Sequence, residues 1–338
     1  MGKQVIVRAD GNAMIGAGHI MRCLTIVRSL SPDTQILFLC ADEKSCKVVR
    51  SRGYEAVCLH TSYTNLMSEI SAWIRLREQK ILAECPAILV DSYYVTPEYI
   101  DILKDFGKVF LLEDMGKSDY GADVLVNYNV YASKEMYEDA VCERMLLGGS
   151  YVPIRPEFLR TSYEIRNTVK NILITTGGGD CDNIAKEILD AIYWEGCRFY
   201  VVTGAFNPNR RALEEYAREK DNVEICVDVQ DMAALMEHCD VAISAGGTTV
   251  YELCAVGVPT VCFSYAENQN KLVAYMGEKG ICESAGEYHV MPQGTIERIV
   301  DAVEQYVDSL QMRQSAYEKE RYLIDGEGAA RIAKELLI

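Results

Sequence analysis

Between a short apolar run and an amphipathic stretch lies Arg8-Ala9-Asp10-Gly11-Asn12-Ala13-Met14-Ile15-Gly16-Ala17-Gly18-His19-Ile20-Met21-Arg22, a segment dense in groups able to do chemistry. Gly16 and Gly18 permit close backbone approach to a ligand, and a helix opening at His19 presents free amides and the positive end of its dipole. An imidazole at such a point takes a proton from a water or hydroxyl near neutral pH. Arg22, three residues on, shares about the same helical face. Asp10, at the strand end, orients a catalytic partner or serves the turn. Plainer roles are open as well: His19 as a cap or packing residue, Arg22 as a solvated helix residue.

A second segment, Ser244-Ala245-Gly246-Gly247-Thr248-Thr249-Val250-Tyr251-Glu252, repeats the design of strand end, glycines and helix start. Gly246 and Gly247 let the backbone approach a diphosphate, and the hydroxyls of Thr248 and Thr249 add donors. Glu252, one turn in, is placed to accept hydrogen bonds from a ribose diol. A capping box of Thr249 and Glu252 is the structural alternative, though it leaves the glycine pair unexplained. After the next strand, Asn268 and Gln269 offer amides to sugar hydroxyls, or Asn268 caps a helix. Gly177 and Gly178, within Thr176-Gly177-Gly178-Gly179-Asp180, form a weaker third turn facing the same ligand. His60, His238 and His289 have no comparable setting and read as surface or packing residues.

The elements that position these groups alternate in one style. Val-, Ile- and Leu-rich runs at residues 4–8, 35–40, 87–91, 108–112, 124–127 and 145–147 read as strands, with helices over 19–30, 45–52, 65–83 and 97–106. A polar stretch at 156–170 reads as a linker. The pattern then restarts, with strands at 171–175, 199–203, 224–227, 241–244 and 260–263. This is the βαβ signature of an α/β protein with two Rossmann-like, doubly wound domains facing a cleft, residues 1–155 and 171–338. The second includes terminal helices from about residue 296, one of which is a candidate to cross back and brace the first. In such sheets ligands bind at the carboxyl edge of the strands, where all three glycine turns fall.

The length of 338 residues suits two cores of about 150 residues each. A formal net charge of −16 without a basic stripe argues against nucleic acid as a partner. No long uncharged apolar stretch or secretory leader is visible, so a cytoplasmic protein without stable membrane insertion is expected. The thirteen cysteines are odd in number and scattered through apolar runs, which reads as reduced core residues. Cys181 and Cys197 have no metal-like spacing, and neither a metal site nor a cofactor is expected.

The segment Asp10 through Arg22, with Ile15-Gly16-x-Gly18-His19-x-x-Arg22, resembles the N-terminal signature of the nucleotide-sugar hydrolases of pseudaminic acid biosynthesis and their spore coat polysaccharide relatives. The similarity continues through Val90-Asp91-Ser92-Tyr93, Glu113-Asp114, residues 123–127, Ile154-Arg155-Pro156-Glu157-Phe158, and Ser244 through Glu252. The resemblance implies a GT-B fold, UDP held by the C-terminal domain, and metal-free hydrolysis of a UDP-sugar. It places the catalytic histidine at His19 and the UDP contacts at Gly246, Gly247, Thr248, Thr249 and Glu252. Two departures, Gly11-Asn12-Ala13 after Asp10 and Glu113-Asp114 in place of a paired aspartate, bear on which sugar is accepted. The expected reaction is water attack at the anomeric carbon of a UDP-activated deoxy-diacetamido sugar, with inversion and UDP as product. A GT-B glycosyltransferase would instead supply an acceptor hydroxyl and show a membrane-facing patch on the first domain, which the sequence does not display. A non-catalytic nucleotide-sugar sensor would leave the histidine without a role.

Overall fold

The computed structural model describes residues 3–12, 15–16, 18–177, 180–204 and 207–338. The chain folds into two units, Met1–Pro153 with Glu327–Ile338, and Ile154–Gly326.

Unit 1 begins with β1 (Gln4–Ala9), α1 (Gly18–Val27), β2 (Gln35–Cys40), α2 (Glu43–Ser51), β3 (Glu55–Cys58), α3 (Ile70–Glu78) and β4 (Ala87–Asp91). It continues with α4 (Pro97–Lys104), β5 (Lys108–Leu112), β6 (Val124–Asn127) and β7 (Arg144–Leu147). Every β1 residue is buried, because helices cover both faces of a parallel sheet and the strand reads as one apolar run. The helices carry local start signals. Asp42 caps α2 by accepting from the Ser45 amide, and Thr96 caps α4 ahead of Pro97, whose missing N–H costs nothing in a first turn.

The strands pair in parallel in the order β3-β2-β1-β4-β5-β6-β7. The chain therefore winds outward from β1 in one direction and restarts from β4 in the other, so β1 and β4 flank the topological switch point. Ile6, Leu39, Ile88, Val90 and Leu111 form the sheet's part of a core closed by Trp73, Tyr99 and Leu103.

Unit 2 repeats the plan with β8 (Asn171–Thr175), α5 (Ile184–Ile192), β9 (Arg198–Thr203), α6 (Arg210–Arg218), β10 (Val223–Val227) and α7 (Met232–His238). Then follow β11 (Val241–Ala245), α8 (Thr248–Val256), β12 (Thr260–Ser264), α9 (Asn270–Glu278), β13 (Glu283–Glu287), α10 (Pro292–Asp308) and α11 (Leu310–Leu323). Its order, β10-β9-β8-β11-β12-β13, puts the switch between β8 and β11. Two doubly wound parallel sheets in tandem are the GT-B composition expected from the sequence.

Some elements differ from the sequence reading. The edge strands β3 and β13 were not expected, since each is only half-buried and lacks a continuous apolar run. The single helix expected over 65–83 is a 3₁₀ turn, Leu66–Glu69, followed by the shorter α3. Residues 156–170 are part of unit 2 rather than a free linker: Phe158 and Tyr163 are buried, and Arg166 pairs with Asp240 at 2.7 Å. The helix α12 (Gly328–Leu336) belongs to unit 1, not to the second domain, and packs on α1 through a face that includes Ile332, Ala333 and Leu336. Its first residue must be glycine, because a Cβ there would lie 2.2 Å from the Val152 carbonyl oxygen.

Candidate active site

In unit 1 the switch point brings the start of α1 beside the end of β4. Their registered neighbours Ala9 and Asp91 set the carboxyl ends of β1 and β4 side by side. Nδ1 of His19 lies 2.6 Å from Oδ1 of Asp91. Arg22 clamps the same carboxylate, Nε to Oδ2 and Nη2 to Oδ1, both at 2.5 Å. Its Nη1 donates to Asp114 and to the Tyr128 hydroxyl, each at 2.8 Å. The Tyr93 ring meets the imidazole edge-on, with centroids 4.6 Å apart.

Asp91 is fully buried. Burial alone would push its pKa up, but the Arg22 charge, the hydrogen bonds from Arg22 and the contact with His19 outweigh that and hold it at about 2. The carboxylate is therefore an acceptor at any physiological pH, which makes Nδ1 of His19 the donor. Arg22 Nη2, 3.1 Å from that nitrogen, is then a close neighbour, since Nδ1 has no lone pair to offer it. The tautomer fixed in this way keeps the proton on Nδ1 and a lone pair on Nε2, the form a general base requires.

Asp91 was not among the candidates singled out from the sequence. The orienting role considered for Asp10 falls to Asp91 instead. Asp10 spends its carboxylate on Arg8, at 2.5 Å, and on the Ala41 amide, at 2.7 Å. Arg8 is wholly buried and reaches both oxygens of Glu69, at 2.8 and 2.9 Å, so this arginine and its two acids form a hydrogen-bonded interior cluster. Arg22 is likewise no solvated helix residue. Gly16 takes φ +70°, the left-handed region that favours glycine, and Gly18 opens α1 with free space at its Cβ position.

In unit 2 the corresponding switch-point turns are those after β8 and β11. Helix α8 starts with Gly247 as its N-cap and no side chain capping it, so the capping box read for Thr249 and Glu252 does not form. The two glycines do different work. A Cβ on Gly246 would lie 2.5 Å from Cγ2 of Val273, so glycine is needed there for packing on α9. Gly247 faces open space, which leaves the uncapped amides and the hydroxyls of Thr248 and Thr249 at the helix mouth approachable. Glu252 is held by Arg155, whose Nη2 and Nε converge on one oxygen, Oε1, at 2.9 and 3.3 Å. Burial raises the Glu252 pKa, an effect that the Arg155 charge and hydrogen bonds oppose.

Gly177 has φ +84° and lies against Tyr265, whose hydroxyl would be 3.0 Å from an added Cβ. Gly178 lies outside the described residues. Asn268 is exposed, while Gln269 turns its amide oxygen to the Tyr265 N–H at 3.1 Å. The structure thus brings His19 and Arg22 together in unit 1. In unit 2 it brings the Gly246–Glu252 turn beside Gln269.

Residues 171–336 match the glycosyltransferase family 28 C-terminal domain. The chain is 26% identical to the spore coat polysaccharide biosynthesis protein SpsG of Bacillus subtilis, over 96% of this chain and 95% of that one. It is 24% identical to the UDP-2,4-diacetamido-2,4,6-trideoxy-beta-L-altropyranose hydrolase of Campylobacter jejuni, over 82% of this chain and 97% of that one. Among solved structures, MurG of Acinetobacter baumannii superposes with a TM-score of 0.71 at 15% identity, over 99% of both chains. UDP-GlcNAc 2-epimerase of Neisseria meningitidis, bound to UDP-GlcNAc, superposes with a TM-score of 0.66 at 14% identity, over 100% of both chains. The chain is an enzyme of the GT-B nucleotide-sugar class, and over most of its length it is a relative of the spore coat polysaccharide biosynthesis proteins and the UDP-diacetamido-trideoxy-altropyranose hydrolases.

Proposed function

We propose that the protein hydrolyses a UDP-activated deoxy-diacetamido sugar to free sugar and UDP, in the cytoplasm, for nonulosonic acid or surface polysaccharide synthesis. The observation that carries this reading is the His19–Asp91 contact, which leaves Nε2 as the proton acceptor. Nε2 takes a proton from water as its oxygen attacks the anomeric carbon. The bond from that carbon to the diphosphate oxygen breaks on the opposite side, so the sugar leaves with inverted configuration. The second unit is assigned the nucleotide: the α8 amides and the Thr248 and Thr249 hydroxyls take the diphosphate, and Glu252 takes the ribose diol through Oε2, the oxygen Arg155 leaves open. Amides fixed at a helix terminus stabilise the charge that builds on the departing UDP. The step calls on no metal ion.

Purified protein given the matching UDP-sugar should release UDP without an acceptor. His19→Ala should abolish that release while UDP binding survives. Near-normal release by the variant would overturn the assignment of His19.

A second reading, transfer of the sugar to an acceptor hydroxyl, is favoured by one surface feature. Met67, Ile74 and Ile81, spaced by seven along α3 and its ends, are 41%, 40% and 40% exposed on unit 1. These exposed side chains were not singled out in the sequence, and no helix among the described residues is long and apolar enough to cross a membrane. UDP release that accelerates severalfold when a lipid-linked acceptor is added, and only then, would select transfer over hydrolysis.

A further inference from the structure

Away from the groups described so far, one corner of unit 1 gathers sulfur, oxygen and nitrogen donors from successive elements. Glu43 opens α2, Cys46 follows on the same turn, Cys58 closes β3, and His60 comes two residues later. One ligand atom from each of Glu43, Cys46 and Cys58 lies within 4.8 Å of the other two. Nδ1 of His60 is 3.5 Å from Sγ of Cys58, and the His60 amide also reaches that sulfur. A tetrahedral ion that binds sulfur at about 2.3 Å and imidazole nitrogen at about 2.0–2.1 Å holds those two atoms roughly 3.5 Å apart. The observed separation matches that value, but His60 is not one of the three groups that share the 4.8 Å limit, so it would complete the set by turning about its side-chain bonds.

We propose that Glu43, Cys46 and Cys58 bind a thiophilic divalent cation of the Zn²⁺ class, with His60, beside Cys58, turning in as the fourth ligand. Two thiolates, an imidazole and a carboxylate make a closed four-ligand set, which suits a structural ion rather than one that activates water. The charges also balance. The three anionic ligands exceed the ion by one, and Arg50, 2.5 Å from Oε1 of Glu43, supplies the compensating positive charge. The ion would tie α2 to β3, an edge strand paired on one side only, and would lie two strands from His19 and Asp91. In the linear sequence this set is hidden, because its two cysteines are separated by eleven residues and its histidine stands outside any standard zinc spacing.

The test uses the full chain purified without chelators. Elemental analysis by mass spectrometry should find about one Zn²⁺ per chain. After chelator treatment, Co²⁺ titration should produce a thiolate-to-cobalt charge-transfer absorption. His60→Ala and Glu43→Gln, at surface positions that leave folding intact, should weaken Co²⁺ binding about tenfold or more, and Cys58→Ser should remove most of the absorption. Cys85→Ser, at an exposed cysteine elsewhere, should change nothing. Failure to see a thiolate–cobalt band overturns the proposal. So does a band unaffected by His60→Ala and Cys58→Ser but lost in Cys282→Ser, which would place the ion at Cys254, Cys282 and Glu320 instead.

Discussion

Asp91 grips His19 through the Nδ1 nitrogen at 2.6 Å while both of its oxygens are clamped by Arg22. The carboxylate thus fixes both the ring's orientation and its tautomer. Asp91→Asn keeps the shape of the side chain but can present an amide N–H to Nδ1, which would move the ring proton to Nε2. Under the hydrolase reading, kcat should fall by roughly 100- to 10,000-fold with little change in UDP affinity. Steady-state kinetics paired with calorimetric UDP binding would separate the two quantities. Equal losses in both would argue for a folding defect rather than a tautomer effect.

Arg22 serves three acceptors at once, and a lysine ammonium cannot reproduce its planar fork. Arg22→Lys should therefore loosen Asp91, lower kcat, and let the carboxylate titrate nearer its ordinary value. The sign for stability follows from the depressed pKa of about 2. The contribution of Asp91 is fully present above the unfolded value, near pH 3.9, and is lost as pH falls towards about 2. Acid melts followed by circular dichroism should show the wild type losing more stability across that window than Arg22→Lys. Parallel acid curves would refute the linkage.

Gly246 and Gly247 should separate packing from binding. Gly246→Ala forces a Cβ against Val273 and should cost about 1–3 kcal/mol, seen as a lowered melting temperature. Gly247→Ala meets no neighbour within 4 Å and should melt like the wild type, yet weaken UDP binding by narrowing the approach to the α8 amides. A normal UDP affinity in Gly247→Ala would remove that turn from the proposed diphosphate site.

Glu320, on α11, is wholly buried. One of its oxygens accepts from the Thr260 amide at 3.1 Å, and the other has no hydrogen-bond partner. Burial drives its pKa well above the ordinary carboxyl range, against the hydrogen bonds from Thr260 and Cys282. With the folded value raised, the folded state holds the proton more tightly, so stability is greatest below about pH 4.3 and drains away as pH climbs towards the folded value. Glu320→Gln removes that drain. Thermal melts at pH 5 and pH 8 should show the variant gaining on the wild type at the higher pH, and a constant difference between the two would contradict a buried neutral acid.

The central strands were legible because helices cover both faces of a parallel sheet, so β1, β2, β4, β5, β8 and β11 each read as an unbroken apolar run. Two of the four edge strands were not: β3 and β13 are half-buried and of mixed composition, whereas the edges β7 and β10 were expected. The same limit applies to the site. His19 announced itself through its local setting, two glycines and a helix start. Asp91 ends the run Ala87-Ile88-Leu89-Val90-Asp91, and only the pairing of β1 with β4 carries it 72 positions back along the chain to His19. An acid closing an apolar strand beside a suspected switch point is the signal that could have found it. Glu252 shows the converse, since its spacing from Thr249 suggests a cap, whereas its partner proves to be Arg155.

Helix α12 gives the molecule an unusual order of assembly on the ribosome. Unit 2 is encoded without interruption and can close as soon as Gly326 has emerged. The unit whose synthesis starts first must wait for residues 328–336 to cover α1, the helix that presents His19 and Arg22. The earlier-made half is thus the later to mature, and His19 is seated by a helix translated after the whole of unit 2.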